Sequence, residues 1–165
     1  MVKLNIDCLV LIFDEMEKNS LYSCLLVNKE WCNIVVPILW KKFSWNWHSL
    51  YGEVRNSEKM LINTILSCLQ PSSKQLLSDN GIKLPSAVLK GVPLFNYIGF
   101  CEFPTHYIIN KIIETVEYDT KKPEICNLCE QQIYKLFISR CNNIKSLHWE
   151  TINFSWSFNM FFSAI

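Results

Sequence analysis

The sequence predicts a mainly α protein. Apolar residues recur at i, i+3, i+4 and i+7 in segment after segment, which is the spacing of one helix face. Half of the 165 residues are apolar and 19% are charged, so the chain has enough apolar surface for a core and is not a disordered, charge-rich tail. Its four glycines and six prolines exclude the collagen-like and low-complexity classes.

Charge and hydropathy indicate where in the cell the protein is expected and which classes of partner are not. The formal net charge of +1 gives no general attraction to phosphate backbones or anionic membranes. The first apolar run, Cys8 to Phe13, ends at Asp14 and is too short for a secretory signal or a membrane span. We therefore expect reduced cysteines, a location in the cytoplasm, the nucleus or both, and no nucleic-acid or membrane partner.

Three short helices are predicted within residues 4–43. The first carries one apolar stripe, made of Ile6, Leu9, Val10, Phe13 and Met16, and a second apolar side, made of Cys8, Leu11 and Ile12. Asn19 or Ser20 is expected to cap the second helix. Its core face is Leu21, Cys24 and Leu25, while Tyr22 and Leu26 project differently.

The third helix is expected to begin at an Asn28 cap. Trp31, Ile34, Val35 and Ile38 have core spacing along it, and Pro37 must bend or interrupt it. About 40 residues is near the lower limit for a domain that buries enough surface alone. Because a helix that is apolar nearly all round must be covered on both sides, either the rest of the chain or another protein has to cover this block.

The pattern of this block resembles an F-box. The matching segments are Leu4-Asn5-Ile6-Asp7-Cys8-Leu9, Ile12-Phe13, Leu21 to Trp31 and Pro37-Ile38-Leu39-Trp40. The family pattern is L-P-x-D/E-x-L-x-x-I-F, then L-x-x-C-x-x-V-x-K/R-x-W, then a closing L-W. The sequence from Ser20 to Trp40 is similar to that of a large set of fungal F-box proteins. The sequence departs from the pattern at Asn5, where the family usually has a proline that packs on its adaptor.

The resemblance implies that residues 1–43 form an F-box domain, which docks on a Skp-type adaptor and, through it, on a cullin scaffold. The motif residues are Leu4, Asp7, Leu9, Ile12, Phe13, Leu25, Val27, Trp31, Leu39 and Trp40. Some of them are expected to contact the adaptor and others to hold the three helices together, and the sequence alone does not separate the two groups. The lost proline ring at Asn5 weakens the adaptor contact by on the order of 1 kcal/mol.

Residues 44–93 are predicted to be a helical linker. After an aperiodic connector, Ser57 is expected to cap a helix whose apolar residues are Met60, Leu61, Ile65, Leu66 and Leu69. Pro71 suits the first turn of the next helix, with Leu76 and Leu77 inside, and Gly81 suits its C-terminal end.

Residues 94–165 are predicted to form a partial, α/β leucine-rich-repeat-like region that recognises a target. Residues 94–103 read as extended, 104–116 as a helix with Tyr107, Ile108, Ile112 and Ile113 as its apolar stripe, and 125–140 as another helix. The segment from Cys141 to Trp149 then resembles one repeat unit with a short strand. Such units need stacked neighbours, usually at least three, and only one or two can be counted here.

Two other binding chemistries have to be weighed. Cys126 and Cys129, with Cys141 and His148, provide one C-x-x-C pair where a structural zinc site usually needs two pairs or two spaced histidines. Residues 41–48 mix two lysines with aromatic side chains, as single-strand nucleic-acid platforms do, but lack the charge for that role. We expect neither a metal nor another cofactor, and no catalytic residue, because no histidine accompanies a nucleophile motif.

The expected function is that of a non-catalytic, substrate-recognition subunit of an SCF-type ubiquitin ligase. It would hold an unknown target protein near a charged conjugating enzyme, so that its contribution to ubiquitination and proteasomal degradation is proximity. The alternative is an interaction or decoy protein that binds the adaptor through its F-box and recruits no substrate.

Overall fold

The computed structural model describes residues 5–42, 56–91, 93–118 and 123–142. Within these ranges the chain is mainly α, as predicted. The helices are α1 (Ile6–Glu15), α2 (Lys18–Cys24), α3 (Lys29–Lys41), α4 (Asn56–Ser67), α5 (Pro71–Asp79), α6 (Ser86–Lys90), α7 (Tyr97–Phe100), α8 (His106–Glu114) and α9 (Pro123–Arg140), with strands β1 (Ile82–Lys83) and β2 (Glu117–Tyr118). No helix in these ranges has the length and apolar character needed to cross a membrane.

The first three helices form the N-terminal unit, residues 5–42. Asn28 caps α3 as predicted, since its side-chain oxygen accepts a hydrogen bond from the Trp31 N–H at 2.8 Å. The prediction for α2 was wrong: the helix begins at Lys18 after an extended Glu17, so Asn19 and Ser20 lie inside its first turn. Helix α3 continues through Pro37 to Lys41, and the proline does not interrupt it.

A small core closes the N-terminal unit. Its buried side chains are Leu9, Phe13, Leu21, Cys24, Val35 and Ile38. The predicted apolar stripe of α1 is only partly buried, because Ile6 and Val10 remain exposed beside the buried Leu9 and Phe13. Three short helices provide only one covered side for α1, and two large side chains fill it.

Lys42, at the end of α3, contacts the end of α1. Its Nζ donates to the carbonyl oxygens of Asp14 and Met16, at the C-terminus of α1. The last carbonyls of a helix have no partner within the helix and carry partial negative charge, so a lysine there is favourable. This contact fixes the end of α1 against the end of α3.

Helices α4 to α9 share a second, larger core, here called the C-terminal core. It is built mainly from isoleucine and leucine of α4, α8 and α9, with Ile82, Leu84 and Val88 between them. Residues on both sides of position 93 belong to it, whereas the division into linker and recognition region stays a prediction. Strands β1 and β2 pair antiparallel, with Ile82 opposite Tyr118.

Both ends of α5 lie where the sequence predicts them. Pro71 is its first residue, where a missing N–H costs nothing. Gly81 follows the Asn80 C-cap with φ of +79°, a left-handed conformation that glycine adopts without steric penalty. Leu77 is buried as predicted, but Leu76 is exposed.

Several other predictions for residues 56–142 were wrong in detail. The segment 94–103 is not extended, because Tyr97–Phe100 forms the short helix α7. Ser57 lies inside α4 rather than capping it, and Met60 is exposed while Ile62 is buried instead. Helix α8 begins at His106 and α9 at Pro123, each within two residues of the predicted start. The predicted strand at Leu147–Trp149 and most of the repeat unit lie outside the described residues.

The Asn28 cap provides a test of the N-terminal unit. Replacing it (Asn28→Ala) should lower the free energy of unfolding by about 1 kcal/mol, because the Trp31 N–H loses its acceptor. The matched control is Asn33→Ala, at an exposed position inside the same helix, where alanine is the better helix former. Urea unfolding of both variants checks this, and equal destabilisation would contradict the capping role.

Candidate functional site

Exposed apolar side chains concentrate on the N-terminal unit. Of the twelve large hydrophobic residues that are exposed in the described part of the chain, seven lie between residues 6 and 27. They are Ile6, Val10, Leu11, Ile12, Tyr22, Leu26 and Val27. Groups of exposed apolar side chains mark interaction sites in folded proteins, whereas single exposed residues need no explanation.

One group lies on the outer face of α1. Cys8, Leu11 and Ile12 are exposed, and their i, i+3 and i+4 spacing puts them on one side of the helix, turned away from Leu9 and Phe13. The sequence predicted this second apolar side. We call these three residues the α1 outer face.

A second group lies at the end of α2. Tyr22, Leu26 and Val27 are exposed, and Leu26 is 89% exposed. The backbone that carries them is hydrogen-bonded, since Leu26 N–H donates to Ser23 O at 3.2 Å and Val27 N–H to Cys24 O at 3.3 Å. We call these three residues the turn patch. Because its backbone is already ordered, binding there would cost little conformational entropy.

The structure separates the motif residues by their burial. Leu9 and Phe13 are in the small core, and Trp31 packs edge-on against Phe13 with ring centroids 5.0 Å apart. Leu25 and Leu39 are half-buried against the same core. These five side chains hold the three helices together.

Three other motif residues face outward. Asp7 is exposed in the first turn of α1, Ile12 lies in the α1 outer face, and Val27 lies in the turn patch. Asn5, at the position of the usual family proline, caps α1 by accepting a hydrogen bond from the Asp7 N–H at 3.3 Å. Leu4 lies outside the described residues.

Trp40 joins the N-terminal unit to the C-terminal core. Its ring centroid is 4.7 Å from that of Tyr97 on α7. Cys32 and Val36 precede Trp40 at four-residue intervals and so share its side of α3. Burial raises the pKa of Tyr97, and electrostatic interactions with Cys68 and Cys32 raise it further. This side of α3 is therefore a junction between the two cores.

The cysteines that were weighed as zinc ligands lie in or against the C-terminal core. Cys126 and Cys129 share a side of α9, and burial raises the pKa of Cys129 to about 12. Cys141 is buried, and its thiol donates to the Cys101 carbonyl at 3.2 Å. Zinc binding requires thiolates, which this burial opposes. The structure describes no group of three or more His, Cys, Asp and Glu side chains placed to hold a metal, and His148 is outside the described ranges.

The sequence analysis missed a polar cluster between α8 and α9. His106 Nδ1 is 3.5 Å from Glu130 Oε1 and 3.3 Å from the Tyr134 hydroxyl, and its Nε2 is 2.9 Å from Asn110 Nδ2. Desolvation raises the pKa of Glu130 and also that of Tyr134, to about 12. The i, i+4 spacing of His106 with Asn110 and of Glu130 with Tyr134 is the signal that could have found it. The cluster links the two helices through partly buried polar contacts.

Comparison with known proteins adds no relative, since no family model, curated protein or solved structure matches this chain. The proposed function therefore rests on the N-terminal unit, on its exposed apolar residues and on the motif in its sequence.

The division between core and surface can be tested on α1. Leu9→Ala should lower the free energy of unfolding by about 2–5 kcal/mol, because it removes a buried side chain from a small core. Ile12→Ala, three residues on, should change it by less than about 1 kcal/mol, because Ile12 is 48% exposed. Urea or thermal unfolding of both variants checks this, and a reversed order of the two effects would contradict the assignment.

Proposed function

We propose that this chain is a substrate-recognition subunit of an SCF-type ubiquitin ligase that docks on a Skp-type adaptor through its N-terminal unit. The observation that carries the proposal is the concentration of exposed apolar side chains on the N-terminal unit, which holds seven of the twelve in the described part of the chain. The F-box resemblance names the partner, and the exposure of Ile12 and Val27 gives two of its motif residues a surface on which to bind.

The outward apolar residues are available for a partner because the fold does not need them. Leu9, Phe13 and Trp31 supply the internal packing, while the α1 outer face and the turn patch contribute little to it. Full burial of one leucine, isoleucine or valine stabilises by about 1.5–3 kcal/mol relative to exposure. Several such residues buried together would offset the cost of association.

The adaptor would then replace the water that these side chains now face. Asp7 lies at the start of α1, where its carboxylate suits the positive end of the helix and remains open to a polar contact at the rim. Apolar residues at the centre and charged residues at the rim are the usual organisation of a protein interface.

The C-terminal core would present the target protein. The Trp40–Tyr97 contact connects it to α3, so the docked unit and the recognition region are held to each other through packed side chains. The chain itself would carry out no covalent chemistry, and its effect on rate would come from holding target lysines near the conjugating enzyme. We propose the cytoplasm, the nucleus or both as the place of action.

Co-expression with a Skp-type adaptor, followed by size-exclusion chromatography, tests adaptor binding. The wild-type chain should co-elute with the adaptor, and the double variant Ile12→Asp with Val27→Asp should not, because it buries two carboxylates in an apolar interface. Both positions are exposed, so the variant should fold.

Leu89→Asp is the matched control. Leu89 is 49% exposed, nearly the same as Ile12, but lies on α6, outside the N-terminal unit. Its variant should still co-elute with the adaptor. Folded wild-type protein that ignores the adaptor, or a double variant that binds as well as the control, would overturn the proposal.

A further inference from the structure

An open cleft of about 570 Å³ lies on the C-terminal core. It is bordered by the end of α4, the start of α5, residues 93–96 and the end of α9. Its volume is in the range of sites that bind small molecules or a few side chains of a peptide.

Lys74 forms one positive side of the cleft. Its Nζ donates to the carbonyl oxygens of Val88 at 2.8 Å and Gly91 at 3.3 Å, which fix the ammonium group in place. Two donated bonds leave one N–H of the ammonium for a further acceptor. Desolvation lowers the pKa of Lys74, so this charge lacks part of its solvent.

Arg140, in the last turn of α9, supplies the second positive charge. Arg140 and Lys74 line the cleft together with Cys68, at the end of α4. Burial raises the pKa of the Cys68 thiol, and the two positive charges partly offset that rise. In the described part of the chain, no Asp or Glu borders the cleft, and neither cation has a carboxylate within ion-pair distance. Lys74 and Arg140 therefore line one cleft, and the described residues supply no carboxylate to either of them there.

The rest of the cleft is lined by the start of α5 and by apolar side chains at its rim. Pro71, at the start of α5, borders the cleft, and the Gln70 N-cap makes no side-chain hydrogen bond there. The positive end of that helix adds to the two cations, while Arg140 offsets the negative end of α9. Leu94 is 84% exposed at the rim, and Phe95 beside it is half-buried.

We propose that this cleft binds an Asp or Glu side chain on a segment of a partner protein, with a neighbouring apolar side chain of that segment against Leu94 and Phe95. A lysine and an arginine that line one cleft suit a single carboxylate, since each can donate to one of its oxygens. A nucleic-acid backbone would need a longer basic stripe, which a net charge of +1 does not supply. That the bound segment belongs to a ligase target rests on the proposed function, whereas the acidic chemistry of the site does not.

An NMR titration of the full, isotope-labelled chain tests the cleft. The probe is the short acetylated peptide Gly-Ser-Glu-Leu-Glu-Gly-Ser, and its matched control has glutamine at both glutamate positions. The glutamate peptide should shift amide signals at the start of α5 and the end of α9. It should bind about tenfold more tightly than the glutamine peptide, because one charge-assisted hydrogen bond is worth roughly that factor.

Matched variants locate the effect. Arg140→Gln should weaken binding of the glutamate peptide about tenfold, and Asn142→Asp, which places a carboxylate at the cleft, should weaken it too. Lys135→Gln removes the same charge from an exposed position on α9 and should leave binding unchanged. No binding, equal affinity for the two peptides, or equal loss in Arg140→Gln and Lys135→Gln would overturn the proposal. Arg140→Gln should still co-elute with the adaptor, so failure at the cleft is distinguishable from failure of the docking proposal.

Discussion

Helix α3 contributes to both hydrophobic assemblies of this protein, and the relation between them depends on it. One side of the helix places Val35 and Ile38 in the N-terminal core. Another side carries Trp40, whose ring packs 4.7 Å from that of Tyr97 in α7. The Asn28 cap and the Lys42 contacts with α1 fix the two ends of the same helix. The same helix therefore packs into the N-terminal core and contacts α7 of the C-terminal core.

The double use of α3 also explains why so much apolar surface stays outside. With one side of α3 committed to α7, α1 and α2 are covered only where Leu9, Phe13, Leu21 and Cys24 meet the remaining side. Among the described residues, the outer side chains of α1 and the α2 turn then have no neighbour that buries them. An apolar surface held on hydrogen-bonded backbone costs little to bury in a partner, which is the physical basis of the docking proposal.

Local chemistry made part of the fold predictable from the sequence. Asn28, Pro71 and Gly81 mark helix ends for three different reasons. Asparagine accepts a hydrogen bond from a free N–H at a helix start, proline lacks an N–H that the first turn does not use, and glycine adopts positive φ after a helix end. The mainly α class followed from apolar spacing, and so did the second apolar side of α1. Spacing does not say which members of an apolar stripe are buried. Ile6 and Val10 are exposed although they share a predicted stripe with the buried Leu9 and Phe13.

Other features depend on tertiary contacts that no local pattern shows. The apolar segment around Tyr97 is predicted to be extended, yet it forms a four-residue helix that packs on Trp40. The cleft joins Lys74 and Arg140, which are far apart in the chain and unremarkable as single residues. The role of Asn5 as the cap of α1 likewise appears only once the helix start is known. The candidate docking surface was predicted as a motif, and the structure divided that motif into core and surface.

The most direct test of the central claim is hydrogen–deuterium exchange of the full chain, alone and with a Skp-type adaptor. Docking through the N-terminal unit predicts slower exchange in peptides that cover residues 6–12 and 22–28, because bound helices open less often. Peptides from α8 and α9 should exchange at the same rate in both samples. A complex that protects only α4 to α9, or no protection on adding adaptor, would contradict the account.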